Sequence, residues 1–279
     1  MKTVLAALDN SLAGTPVLAA ARAFASLLDA RVEAVHVRTN GDRTARNTAQ
    51  AGGVPLSTVS GPVVERLVEA GQVEGVVALA IGARGTPSGR RPLGGTAAAV
   101  ATALLKPVIV VPPDARPPEE FRRVLVPLEA SLSASLAPRT ILELAREATV
   151  EAVALHVYEE DSLPPFTDQP QHEQAAWAQE FLARYCPAGL GSVRLETRVG
   201  RSDELVPLVA DECGCDLVAL GWSQELAPGR APVVRGTLER SSLPVLLVPV
   251  RLLAPLDDNA DPGATSPASR LHGMRGPTG

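Results

Sequence analysis

The chain is written twice. VLAALDN at residues 4–10 returns as VLVPLEA at 124–130, VEAVHV at 32–37 as VEAVALHV at 150–157, and KPVIVVP at 106–112 as LPVLLVP at 243–249. Asp9 and Glu129 lie 120 residues apart, as do Val37 and Val157. Gly61–Gly200 and Gly82–Gly221 lie 139 apart, and Pro107–Pro244 lie 137 apart. The second copy therefore carries a 19-residue insertion and then a short deletion. A repeat of this length means two tandem domains of ordinary size, expected at 1–115 and 120–251 and joined by the Pro-rich, acidic PPDARPPEEF of 112–121. Residues 252–279 hold Pro, Gly, Asp and Ser without periodicity and are expected to be a disordered tail.

Within the first copy, apolar runs at Thr3–Leu8, Val32–Val37, Pro55–Val59, Val76–Ile81 and Val108–Val111 read as strands. Helical spacing falls at Thr15–Leu28, Pro62–Ala70 and Thr96–Leu105. Residues 38–53 are polar and carry no apolar stripe, so the second crossover is expected to be a bare loop. The inserted segment of the second copy adds an amphipathic stretch, Glu173–Arg184, with Trp177, Phe181 and Leu182 on one side. Strands alternating with helices imply an α/β fold with a parallel sheet and right-handed crossovers. The last strands, Val108–Val111 and Val245–Val248, are short and apolar, and they are expected to pair with each other inside one chain so that neither leaves an open edge.

Composition excludes several classes. A net charge of −5 argues against nucleic acid as a partner. No apolar run reaches the length of a bilayer span, so no membrane partner is expected. MKTVLAALDNS reads as a first strand and not a signal peptide, which points to the cytoplasm. Cys186, Cys213 and Cys215 are too few for a disulfide framework, and Cys213-Gly214-Cys215 has neither zinc nor redox spacing. The two cysteines are expected to be small residues around a helix-terminal glycine. His36 and His156, at matching ends of the second strands, are expected to satisfy nearby backbone. His172 starts no metal-binding H-E-x-x-H, and His272 lies in the tail. Ser11 and Ser131 suit helix starts better than nucleophiles. Trp177 and Trp222 are expected to pack the core or the contact between the halves.

The stretch IGARGTPSGRRPLGGTAAAV, residues 81–100, carries the chemistry. Gly82 follows the fourth strand directly, at the carboxyl end of the sheet where such folds bind ligands. Gly85 stands three residues on, and after nine more come Gly95 and Thr96, which open a helix. Glycines let backbone approach phosphate oxygens, and a helix N-terminus supplies amides and a positive dipole end. Arg84, Arg90 and Arg91 put cations within reach. No Gly-Lys-Ser/Thr is present, and no glycine fingerprint follows the first strand.

These residues resemble the universal stress protein family, whose nucleotide-binding members carry Gly-x2-Gly-x9-Gly-Ser/Thr; here that is Gly82, Gly85, Gly95 and Thr96. Asp9 in ALDNS and His36-Val37 match the ends of that family's first and second strands. The resemblance spans both copies. It implies two tandem doubly wound parallel-sheet domains of the adenine nucleotide alpha hydrolase-like type. It also implies binding of ATP with Mg²⁺: Asp9 at the ribose or adenine, the Val37 backbone at the adenine edge, and Ile81, Gly82, Gly85, Gly95, Thr96 and Ala97 around ribose and phosphates. Members pair through their last strands, and a homodimer is compatible with the sequence without following from it.

The second copy keeps Gly221, but Gln224 stands at the second glycine and Glu129 replaces Asp9. Its Gly236-Thr237 lies only 7 residues before Pro244, against 11 from Thr96 to Pro107, too few for the crossing helix. The helix is therefore expected to begin near Pro232, with Gly236 and Thr237 inside it. Glu225 adds a carboxylate unfavourable to phosphate. Nucleotide is expected in the first copy only. Gly85→Val or Gly95→Val should abolish its binding and Gly236→Ala should leave it intact. Such a chain would be a cytoplasmic stress or energy-state responder. The motif supplies neither base nor nucleophile, so any ATP hydrolysis should be slow. The alternative is a nucleotide-free interaction or scaffold protein of the same fold. An ATP-pyrophosphatase would need a Ser-Gly-Gly loop after the first strand, which is missing.

Overall fold

A computed structural model describes residues 1–11, 13–38, 42–84, 93–116, 119–128, 141, 145, 147–158, 180, 182, 193–227 and 229–250. Gly85, Arg90, Arg91, Glu129, Ser131, His172, Trp177, Phe181, Cys186, His272 and the 252–279 segment lie outside them, as does Glu173–Arg184 apart from Glu180 and Leu182. The first half runs β1 (Thr3–Ala7), α1 (Gly14–Leu27), β2 (Arg31–Arg38), α2 (Arg43–Ala51), β3 (Leu56–Ser60), α3 (Val63–Gln72), β4 (Val76–Gly82), α4 (Gly95–Ala103) and β5 (Val108–Val111). The second continues with β6 (Arg123–Pro127), β7 (Glu151–Tyr158), β8 (Val193–Val199), α5 (Ser202–Glu212), β9 (Leu217–Trp222), α6 (Pro232–Arg240) and β10 (Val245–Pro249).

All ten strands join one sheet in the order β3-β2-β1-β4-β5-β10-β9-β6-β7-β8. Pairing is parallel within each half. The junction is antiparallel, Val245 opposite Val110 and Leu247 opposite Val108. The last strands thus pair with each other as expected, and two sheets become one. Successive strand residues point to opposite faces, so each strand feeds two cores. Val4, Ala6, Ala80, Ile109, Val126 and Leu246 lie on one face, which α1 covers in the first half. Leu5, Leu79, Val108, Leu125, Val218 and Leu247 lie on the other, under α3 to α6. Both cores draw on both halves. Burial on two faces explains why the strands read as continuous apolar runs and not as alternating ones.

The second crossover departs from the sequence reading. Residues 43–51 form a helix, α2, where a bare loop was expected. Its buried surface is only Ala45 and Ala49, one turn apart. Two alanines make a stripe too faint for a periodicity argument, yet they let the helix lie close on α1. A Cβ on Gly52 would clash with the Leu18 side chain, which shows how near the two approach. Asn10 Oδ1 accepts a bond from the Ala45 amide at 3.4 Å and so anchors the first turn.

In the second half, α6 begins at Pro232, as the spacing requires, and Gly236 and Thr237 are buried inside it. The α5–α6 contact centres on Asp203, whose carboxylate accepts from Arg201 Nε and Nη2 at 3.1 and 3.0 Å and lies 3.6 Å from Arg240. Arg201 holds this carboxyl below the usual carboxylate range, against the opposing effect of burial. A depressed carboxylate contributes stability above its unfolded value, about pH 4, and that contribution disappears as pH falls through the folded value. Asp203→Asn should therefore be less stable than wild type at pH 7 and equal to it at strongly acid pH. Urea titrations at the two pH values check this.

Candidate functional site

In the sheet order β2-β1-β4 the chain turns one way from β1 and the other way from β4. This is the switch point at which open α/β sheets leave a crevice beyond their carboxyl ends. A cavity of about 280 Å³ lies there. It is lined by the ends of β1 (Ala7–Asn10), β2 (His36, Val37) and β4 (Ile81–Arg84), and by the first turns of α1, α3 and α4. Asp9, Val37, Ile81, Gly82, Gly95, Thr96 and Ala97, singled out from widely separated stretches of sequence, all line this one cavity.

Two helix N-termini converge on it. α4 starts after Gly94 with no side-chain cap, so the first amides, Gly95, Thr96 and Ala97, have no acceptor within the helix. Gly94 is extended, and its N–H donates to Ala83 O at 2.9 Å, fastening the helix start to the end of β4. A Cβ at Gly94 would stand 3.0 Å from that same carbonyl oxygen, whereas one at Gly95 would meet no atom of the described residues within 4 Å. Gly94 is thus needed for packing, and Gly95 leaves open the space in front of the amides. α1 starts at Gly14, behind a turn in which Ser11 N–H and Oγ both donate to Asp9 Oδ1 and Ser11 Oγ accepts from Ala13 N–H. Asp9 is exposed at the rim.

His36 shows why a histidine ends β2. Its Nδ1 is 2.7 Å from Leu8 O, so the buried ring ties the end of β2 to the end of β1. His156 repeats the contact with Leu128 O at 3.1 Å. Both fill the backbone-satisfying role expected of them. The sequence reading did not name Val63 and Leu67, which form the apolar wall of the cavity from α3. Their i, i+4 spacing was the available signal. Cys213 and Cys215 flank Gly214 (φ +62°) after α5 as expected, but only Cys215 is buried while Cys213 is half-buried; burial pushes the Cys215 thiol up to about 12. Trp222 is buried in the core.

The equivalent loop of the second half is built differently. Gln224 takes the left-handed conformation (φ +63°) at the second-glycine position and is buried, 7% exposed. Glu225 faces Arg230 at 3.7 Å. Arg235 Nη1 donates to Leu226 O and Ala227 O at 3.3 and 3.5 Å, folding the loop onto α6. No helix among the described residues is long and apolar enough to cross a membrane.

Fold and crevice together define a class: an α/β protein of two fused doubly wound halves with a crevice at the first switch point. Residues 120–249 match the model of the universal stress protein family. The whole fold is similar to that of a universal stress protein from Archaeoglobus fulgidus DSM 4304, with 16% identity and a TM-score of 0.63, covering 88% of this chain and 97% of that one. It is also similar to a functionally unknown protein from Pseudomonas aeruginosa PAO1, with 14% identity and a TM-score of 0.62, covering 89% and 92%. A universal stress protein solved in complex with cAMP covers 46% of this chain and 96% of its own, at 22% identity and a TM-score of 0.35. No curated protein matches in sequence. The chain has the tandem universal stress protein fold, and its second half carries that family's sequence pattern.

Proposed function

We propose that the cavity of the first half binds ATP and that the protein acts as a cytoplasmic responder to stress or energy state. What supports this most is the meeting of the α1 and α4 N-termini at the switch point, with Gly95 leaving the α4 amides open. Amides and dipole ends of this kind suit a polyphosphate. In this reading Asp9 at the rim takes the ribose or adenine, the Val37 backbone takes the adenine edge, and Gly82, Gly85, Gly95, Thr96 and Ala97 surround the phosphates, with Ile81 beneath the ribose. Val63 and Leu67 supply the apolar wall against the base.

Mg²⁺ is compatible with these residues only as a companion of the phosphates. Among the described residues no group of three or more His, Cys, Asp or Glu could hold a metal ion. Mg²⁺ commonly binds through substrate phosphates with one or two carboxylates, and Asp9 is the carboxylate lining the cavity. When bound, the ion would neutralise phosphate charge. Turnover should be slow, because the glycine motif supplies backbone amides and neither a general base nor a nucleophile.

Mass spectrometry of the purified protein should find adenine nucleotide, and calorimetry with ATP and Mg²⁺ should give one site per chain. No heat and no retained nucleotide at millimolar ATP would refute this reading. They would favour the alternative, a nucleotide-free interaction protein, to which the rebuilt loop around Gln224 in the second half already conforms.

A further inference from the structure

The side chain of Gln224 leaves its own half. Its Nε2 donates to the carbonyl oxygens at the end of α4 in the other half: Leu104 at 2.8 Å, Thr102 at 3.1 Å and Ala101 at 3.4 Å. The last carbonyls of a helix have no intrahelical donor and carry its negative dipole end. One buried amide group, with two N–H donors, reaches three of these carbonyls across the junction. It does so from the position where the first-half loop has Gly85, in a backbone conformation that a non-glycine side chain adopts only at a cost.

α4 needs such a hold. Its sequence, GTAAAVATA, buries only Ala97, Val100 and Ala101, so small side chains do little to fix its position along its axis. Leu104, just past its end, is fully buried and packs into a notch in α3, where a Cβ on Gly71 would stand 2.8 Å from Leu104 Cδ1. Gln224 therefore grips the point at which α4 meets α3. The other ends of these two helices line the cavity, through Gly95–Ala97 and through Val63 and Leu67. A nine-residue helix moves as a rod, about 13 Å long, so a shift at its end is felt at its start.

We propose that Gln224 is a positioning residue through which the second half sets the nucleotide affinity of the first. The loop that lost the phosphate-binding glycine has become the clamp on the helix that presents the phosphate-binding amides. This rests on the ATP reading above, and the test separates the two.

Gln224→Glu keeps size and backbone but replaces the donors with an acceptor facing carbonyls. Gln224→Gly removes the clamp and relieves the left-handed backbone. Both should weaken ATP binding by about 5-fold or more, the lower range of intersite coupling, with the Glu variant affected at least as strongly. In ligand-free protein both should also speed hydrogen exchange of the Gly94 and Ala98 amides, bonded to Ala83 O and Gly94 O at the far end of α4. The Leu8 amide, bonded to Val35 O, should be unchanged. A merely structural role predicts a Glu variant that binds like wild type and a Gly variant altered only near Leu104. That result, or unchanged exchange at Gly94 and Ala98, would overturn the proposal. If wild type itself binds no ATP, the nucleotide reading fails, and the exchange measurement alone decides whether Gln224 governs the start of α4.

Discussion

Gly95→Val should abolish ATP binding and leave the protein folded. Each Cα–Cβ bond in a helix tilts toward the N-terminus, so the new side chain would stand at the mouth of the cavity, before the amides of Thr96 and Ala97. Among the described residues the position has room, since a Cβ there meets none of their atoms within 4 Å. The fold loses no helix propensity by the change, since Val ranks above Gly in a helix. A hydrogen bond to a charged group contributes about 1.5–3 kcal/mol, so blocking two weakens binding on the order of 100-fold or more. Calorimetry should find no binding at ATP concentrations that saturate wild type, with an unchanged thermal midpoint. Gly94→Val would be a poorer probe, because its Cβ would press on Ala83 O at 3.0 Å and disturb the loop itself. A Gly95→Val protein that bound ATP normally would move the phosphates away from α4.

Gly236→Ala should do the opposite, destabilising the second half while sparing the nucleotide. The letters Gly-Thr recur there, but Gly236 is a point of contact between helices. An added Cβ would lie 2.6 Å from Asp203 Cβ and 2.7 Å from Asp203 O. Backbone cannot yield as the end of a flexible side chain can, so α5 and α6 must separate. Overpacking of this kind costs about 1–3 kcal/mol, and each kcal/mol lowers the midpoint by roughly 2–4 °C in a chain of this size. Differential scanning calorimetry should show the drop, and ATP affinity measured well below the transition should match wild type. The sequence reading expects intact binding and offers no sign of the stability loss, because the tight α5–α6 approach involves a residue 33 positions away.

Much of the candidate site was legible because its parts sit at ends of elements that sequence marks well. Asp9, Val37 and Gly82 close apolar runs, and Gly95 and Thr96 open a helix at a set distance from the next strand. Counting residues back from that strand also placed the start of α6 at Pro232. Gly85 lies outside the described residues. α2 was missed because two buried alanines among polar residues leave hardly any periodic signal, although Ala45 and Ala49 are enough to seat a helix against α1. Val63 and Leu67 go unnamed in the sequence reading, since an apolar side chain at a cavity wall looks in sequence like one in the interior.

The sequence by itself determined the doubling of the fold, the order of strands, and the pairing of β5 with β10. Each follows from local pattern: repeat spacing, apolar runs and the need to cover two short apolar edges. Only the tertiary structure decided what the second copy does with its altered loop. Gln224 reads as a lost glycine until its partner is seen, and that partner, Leu104 O, is 120 residues away along the chain. Backbone carbonyls at a helix end look alike in any sequence. Which buried donor reaches them is set by how the two halves meet across the β5–β10 junction.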